Sequence, residues 1–184
     1  MKKEFMGGML ILNGEIPPNY QDIKKFLPAI HDKIIYTWGG TIYNPAGFNI
    51  DPGLLAHEKK HSEQQADYGS WLIPFRYKIS RWWHRYLRDR AFRLSQEIPC
   101  YQVQFQTYAT VIKDKNKLSR VAVALAKDLS GPIYGGMLSL DQAVKAILLS
   151  FLGIVVYVGF RFQNLIWGLG GVVAIIHDVF LSVG

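Results

Sequence analysis

His57-Glu58-Lys59-Lys60-His61 is the stretch of this 184-residue sequence whose residue types and spacing best suit a chemical task. The pattern is H-E-x-x-H. On a helix, side chains four residues apart share a face about 6 Å apart, so both imidazoles can reach one ion. Glu58 can then sit beside an ion-bound water without occupying a coordination position. Zinc lowers the pKa of such a water to roughly 7, and a nearby carboxylate accepts its proton. With five histidines and five glutamates in the chain, chance placement of the pattern is on the order of 0.5%. The competing reading is an exposed helix with two ordinary histidines, in which Lys59, Lys60, Glu63 and Gln64 form a solvated face.

Zinc in an open site needs a third protein ligand. Glu97 and Tyr101 stand four apart and can face the site together, Glu97 as that ligand and Tyr101 as a donor to a developing oxyanion. His84 and Asp67 are rival ligands, and Cys100 is expected to be a small buried residue near Glu97.

Several elements must position these groups. Asp51-Pro52 opens the H-E-x-x-H helix: Asp51 caps free amides, and Pro52 fits the first helical position, where no N–H is needed. Gly69 is a natural stop for it. Before it, residues 33–43 are rich in β-branched and aromatic residues and read as a strand or hairpin turning at Gly39-Gly40. Asn44-Pro45-Ala46-Gly47 is a turn. A short helix is expected over 19–26, two or more helical pieces over 75–113 with a kink at Pro99, and another helix over 118–129. Ser139 with Gln142 forms a capping box for a last helix.

Hydrophobic residues are 49% of the chain and charged residues 19%, which excludes general disorder. One cysteine excludes a disulfide scaffold and fits a reducing compartment. The formal charge of +7 lies entirely in residues 1–130, with 19 Lys/Arg and 12 Asp/Glu. The remainder is neutral and apolar. No secretory leader is expected at the start, since Met9–Leu12 is too short an apolar run. Residues 76–93 interleave arginines with aromatics: Ile79, Trp82, Trp83 and Tyr86 make an apolar face opposite Arg81, Arg85 and Arg88. Three readings stand for this segment: a core-packing helix with a solvated basic face, a membrane-surface helix, or a nucleic-acid contact. No recognition motif accompanies the charge, so nucleic acid is not the expected partner.

Thr41-Ile42-Tyr43-Asn44-Pro45, Leu54-Leu55-Ala56-His57-Glu58 with His61 and Gln64-Gln65, residues 71–86, and Phe92-Arg93-Leu94-Ser95-Gln96-Glu97 with Tyr101 together resemble small bacterial and phage proteins of the gluzincin type of metallopeptidase. The resemblance spans about residues 33–145. It implies a zincin-like fold, His57 and His61 as ligands, Glu58 as general base and Glu97 as third ligand. Pro99 departs from the pattern and is expected to kink the helix and tilt Glu97.

Residues 146–160 carry no charge, and a second apolar run follows Arg161. The first run spans about 22 Å as a helix and approaches membrane-spanning length when extended back to Ala143. Ala146-Ile147-Leu148-Leu149, residues 154–162 and Trp167 through His177-Asp178-Val179 are similar to the SecD/SecF family of protein-export membrane proteins, at two adjacent transmembrane helices of the SecF half.

The expected fold class is α+β: a mostly helical zincin-like domain with a short strand or hairpin, followed by a C-terminal apolar transmembrane helix or hairpin. The expected boundaries are a domain at 1–130, a linker at 131–142 and a membrane segment at 143–184. The leading expectation is a membrane-tethered zinc metallopeptidase of the bacterial inner membrane, with a cytoplasmic basic domain, a peptide or protein substrate and the lipid bilayer as partner. The alternatives are a partial SecD/SecF-type protein-transport protein, with the Sec translocon as partner if the tail is functional, and a non-catalytic metal-stabilised phage or membrane accessory protein.

Overall fold

The computed structural model describes residues 2–28 and 34–149 together with His177. Four strands, β1 (Lys2–Met6), β2 (Met9–Asn13), β3 (Tyr36–Trp38) and β4 (Thr41–Asn44), form one sheet in the order β1-β2-β4-β3. Gly7 and Gly8 turn β1 into β2 with φ of 57° and 84°, the left-handed pair that a two-residue hairpin turn requires. β3 and β4 form the hairpin expected around Gly39-Gly40. β2 runs parallel to β4, with the Asn44 Nδ2 donating to Asn13 Oδ1 at 2.7 Å.

Five helices follow or interrupt the sheet: α1 (Tyr20–Phe26), α2 (Pro52–Ala66), α3 (Phe75–Arg88), α4 (Arg90–Val111) and α5 (Lys115–Ser130). A further helical stretch is described over 140–149. It opens with the expected capping box, in which Gln142 N donates to Ser139 Oγ and Ser139 N donates to Gln142 Oε1.

Three apolar clusters hold these elements. The first joins Ile23 and Tyr36 to Ile79, Trp82 and Trp83 of α3. The second gathers Met9, Ile11, Ile42 and Ile50 under the sheet. The third joins Tyr101 and Phe105 of α4, Leu118 through Leu129 of α5, and Ala143, Val144, Ile147 and Leu148.

The structure corrects two expectations. The α+β, mostly helical class stands, but among the described residues no helix is long and apolar enough to cross a membrane, so the C-terminal transmembrane helix is not supported. The apolar runs of 150–176 and 178–184 lie outside the described residues. The expected pieces within 75–113 part at Asp89, while Pro99, where a kink is expected, lies inside a continuous helix. Asp89 ends α3 and accepts from Phe92 N to cap α4, while buried Arg93 donates to the α3 carbonyls of Tyr86 and Leu87. α4 runs through Pro99. The carbonyl that Pro99 cannot bond belongs to exposed Ser95, where water can meet it.

Candidate functional site

α2 and α4 lie against each other, and their facing surfaces are polar. Asp51 accepts from Gly53 N and Leu54 N and so starts α2 where expected. Gly53 lets α4 approach: a Cβ there would lie 2.4 Å from the Tyr108 ring. The Tyr108 hydroxyl donates to Asp51 Oδ2 at 2.9 Å, so the cap of α2 is also tied to α4.

His57, Glu58 and His61 are all buried on the α2 face. Glu97 of α4, 1% exposed, lies between the histidines. Its Oε1 is 3.3 Å from His61 Nε2, and its Oε2 is 3.7 Å from His57 Nε2. Tyr86 of α3 donates its hydroxyl to Glu97 Oε1. Among the described residues, Glu97 Oε2 is buried with no hydrogen-bond partner. With zinc–ligand bonds of about 2.0–2.1 Å, tetrahedral ligands stand about 3.3 Å apart, so the distance from each histidine Nε2 to its nearer Glu97 oxygen is close to that of two donors on one ion. An orphaned carboxylate oxygen facing an imidazole nitrogen is the donor set such an ion takes.

Each histidine is held by its other nitrogen. His57 Nδ1 is 3.0 Å from Gln104 Oε1, and His61 Nδ1 is 3.0 Å from Gln64 Oε1. The Gln104 amide donates to Tyr108 Oη and the Gln64 amide to the Gln96 carbonyl, which leaves both amide oxygens for the imidazoles. With Nδ1–H donating, the neutral form of each imidazole would present the Nε2 lone pair toward Glu97.

At His57 and Glu97 the charges agree with this arrangement, whereas His61, despite burial that acts to lower it, is raised well above its ordinary value by Cys100 and Glu97 and holds a proton that a bound ion would displace. Burial, followed by the charge of His61, lowers His57 to about 4. Burial acts to raise Glu97, but His61 and His57 outweigh it and hold the carboxylate at about 2. Neutral imidazole and ionised carboxylate are the ligand forms. Glu58 is raised to about 7 by burial, eased by His61 and by a 2.7 Å hydrogen bond that Thr37 donates to Oε2.

Thus the structure brings His57, Glu58, His61 and Glu97 together, with the Tyr101 ring 4.8 Å from that of His57. The Tyr101 hydroxyl donates to Tyr134 Oη at 3.2 Å. His84 and Asp67 are exposed, away from the cluster. Cys100 Sγ lies 3.4 Å from His61 Nδ1, and His57, His61 and Cys100 offer donors within 4.8 Å of one another. Glu97 faces Nε2 of both histidines, whereas Cys100 meets His61 on the nitrogen that already faces Gln64. Sequence reasoning missed Thr37, Gln64, Tyr86 and Gln104 as site residues. Tyr86 had been placed on an apolar face, and the Gln104 spacing of seven from Glu97 was the available signal.

One cleft reaches Glu58 from the side of Ile23, Leu27, Tyr36 and Trp83, and another from the side of Phe48, Leu54, Tyr101 and Asp128.

Comparison with known proteins divides the chain. Residues 111–184 match the family described as "Protein export membrane protein SecD/SecF, C-terminal". The protein translocase subunit SecF of Endomicrobium trichonymphae is 52% identical over 54 residues, covering 29% of this chain and 17% of that protein. The SecF of Koribacter versatilis (strain Ellin345) is 47% identical over 57 residues, covering 31% and 14% respectively. The chain therefore spans under a fifth of the length of these curated relatives. No solved structure matches. The SecF resemblance of the tail is supported, and its match begins upstream of residue 146, at the end of α4. The metallopeptidase resemblance of residues 33–145 gains no support from these comparisons.

Proposed function

We propose that α2 and α4 form a zinc-dependent hydrolytic centre that cleaves peptide bonds. The observation that carries this reading is the buried Glu97 carboxylate seated between His57 Nε2 and His61 Nε2, with Oε2 unpartnered. His57, His61 and Glu97 would hold the ion. Bound zinc would supply a Lewis acid for a scissile carbonyl and make water ionise near neutral pH. Glu58, raised to about 7, would accept the proton of the attacking water and pass it to the leaving amine. Thr37 engages Glu58 Oε2 and leaves Oε1 free for that transfer. Burial keeps the Tyr101 phenol protonated, and donation to an oxyanion would require its hydroxyl to turn from Tyr134 Oη. The apolar cleft beside Ile23, Leu27 and Trp83 suits an aliphatic or aromatic side chain of the substrate.

The test is zinc per chain after dialysis against a mild chelator. His57→Ala and His61→Ala should each abolish retention. Glu58→Gln should keep about one equivalent while hydrolysis of an unfolded protein falls roughly 10²–10⁴-fold. Wild-type chain that takes up no zinc at micromolar levels sinks the proposal. Full zinc with no hydrolysis leaves a metal-stabilised accessory protein.

A second reading rests on the SecD/SecF match of residues 111–184 and the SecF relatives. In it the chain acts in protein export at the bacterial inner membrane, as a partial SecF-type subunit whose partner is the Sec translocon. Crosslinking from residues 150–184 to translocon subunits supports it, and a chain that crosslinks to none argues against it.

A further inference from the structure

α3 carries five basic side chains, Arg76, Lys78, Arg81, Arg85 and Arg88, and no acid. Its apolar side is spent inward on Ile79, Trp82, Trp83 and Tyr86. What remains outside is basic and, at its N-terminal end, aromatic. Trp71 is 86% exposed, Leu72 71% and Tyr77 67%. Trp71 and Leu72 sit on the tip of a tight turn: Ile73 N donates to the Ser70 carbonyl and Leu72 N to Ser70 Oγ. Ile73 folds back toward Gly69, so the turn itself presents the two large apolar side chains to solvent.

We infer that this tip and the basic face of α3 dock peripherally on a bilayer containing anionic phospholipid, with Trp71 and Leu72 entering the headgroup boundary and Arg76, Arg81 and Arg88 meeting lipid phosphates. Two independent features select a lipid surface. Exposed Trp and Leu would be a liability in water but gain free energy at an interface where the ring is half-immersed. The arginines beside them complement a negative leaflet. The acids that flank this surface along the chain are Asp67, exposed three residues before the turn, and Asp89, which accepts from Arg85 at the far end. Neither neutralises Arg76 or Arg81, which lie between them on α3. Tyr77, Arg81, His84 and Arg88 repeat at helical spacing and so share the outer face of α3, where the Arg88 guanidinium also lies 4.4 Å over the Phe26 ring and donates to the His84 carbonyl. This surface is separate from the α2–α4 site and does not depend on zinc.

The test places a nitroxide on the full chain at Leu72→Cys, with a second chain labelled at Lys117→Cys on α5 as reference. Cys100 is buried and is spared under native labelling conditions. Accessibility to oxygen against a water-soluble nickel chelate is read in vesicles of phosphatidylcholine, with or without phosphatidylglycerol. The position 72 label should turn severalfold more oxygen-accessible when phosphatidylglycerol is present, while the reference label stays in water. Combining Arg76→Gln, Arg81→Gln and Arg88→Gln should return it to water without loss of helical signal, since all three side chains are exposed. A label at 72 that stays nickel-accessible overturns the inference. So does immersion that is equal in both vesicle types or indifferent to the arginine changes. Protection by duplex DNA with none by vesicles would assign the face to nucleic acid and also overturn it.

Discussion

α4 has two buried faces, and they are built from opposite materials. Toward α2 it presents Glu97 and Gln104, and toward α5 it presents Phe105, with Tyr101 shared between them. The α5 side is an ordinary apolar core, whose burial accounts for its own stability. The α2 side buries two histidines, two carboxylates and an orphaned oxygen, a set that lowers stability unless something binds it. A helix that spends half its buried surface this way is best explained by a ligand on that half. The two faces should therefore respond differently to substitution.

The largest effect is expected on the apolar side. Phe105→Ala removes a fully buried ring and should cost about 3–5 kcal/mol of unfolding free energy. Chains that remain folded should still bind about one zinc. If zinc retention is lost in proportion to stability, the two faces are not separable as argued.

The second effect belongs to the polar side. Glu97→Gln keeps the shape and an acceptor for Tyr86 but removes the charge between the histidines. Zinc affinity should fall by more than the roughly 10–100-fold typical of an outer-sphere partner. The zinc-free melting temperature should change much less than in Phe105→Ala. A near-silent Glu97→Gln in competitive zinc titration would remove Glu97 from the ligand set.

The same contrast explains what the sequence made legible. The capped start of α2, the Gly39-Gly40 hairpin and the H-E-x-x-H face follow local rules, and each lies where those rules put it. The break at Asp89 was also local in kind, but Pro99 was the stronger-looking breaker. It lies inside an unbroken α4, whose two faces are both packed and whose freed carbonyl belongs to a residue exposed to solvent. The β1–β2 hairpin is written in Gly7-Gly8 between Phe5-Met6 and the apolar run Met9–Leu12, a stretch that the sequence reading tests only for a leader. The parallel pairing of β2 with β4 joins residues about thirty positions apart and has no local signature. Tyr86 illustrates the limit at the site: helical periodicity placed it inside, but only the fold shows its hydroxyl on Glu97. The membrane-spanning expectation came from residues outside those described, while Ala143 through Leu148, counted in that run, pack on α4 and α5.

A smaller effect tests how the histidines are aimed. Gln104→Leu removes the acceptor for His57 Nδ1, frees the other tautomer, and should weaken zinc binding about 10–100-fold. Gln104→Glu restores an acceptor at the same place and should bind at least as tightly as wild type. Loss in both variants would mean that Gln104 serves only the packing of Tyr108.

The smallest effect is graded and concerns protons. Burial acts to lower His61, but Cys100 and Glu97 beside it push harder, and its pKa is raised well above the ordinary value. His57 at about 4 and Glu97 at about 2 are already in their ligand forms at neutral pH. One proton, on His61, therefore stands between the free site and the bound one. Affinity should rise with pH and fall about tenfold for each unit below the raised His61 value, because binding must displace that proton. The apolar face carries no such group, so Phe105→Ala should leave the slope unchanged. Competitive chelator titration across the acid-to-neutral range measures it directly. A slope near zero would mean that His61 enters neutral and that Glu97 does not hold its proton. A slope near two would mean that both histidines are charged in the free site, against the burial that lowers His57.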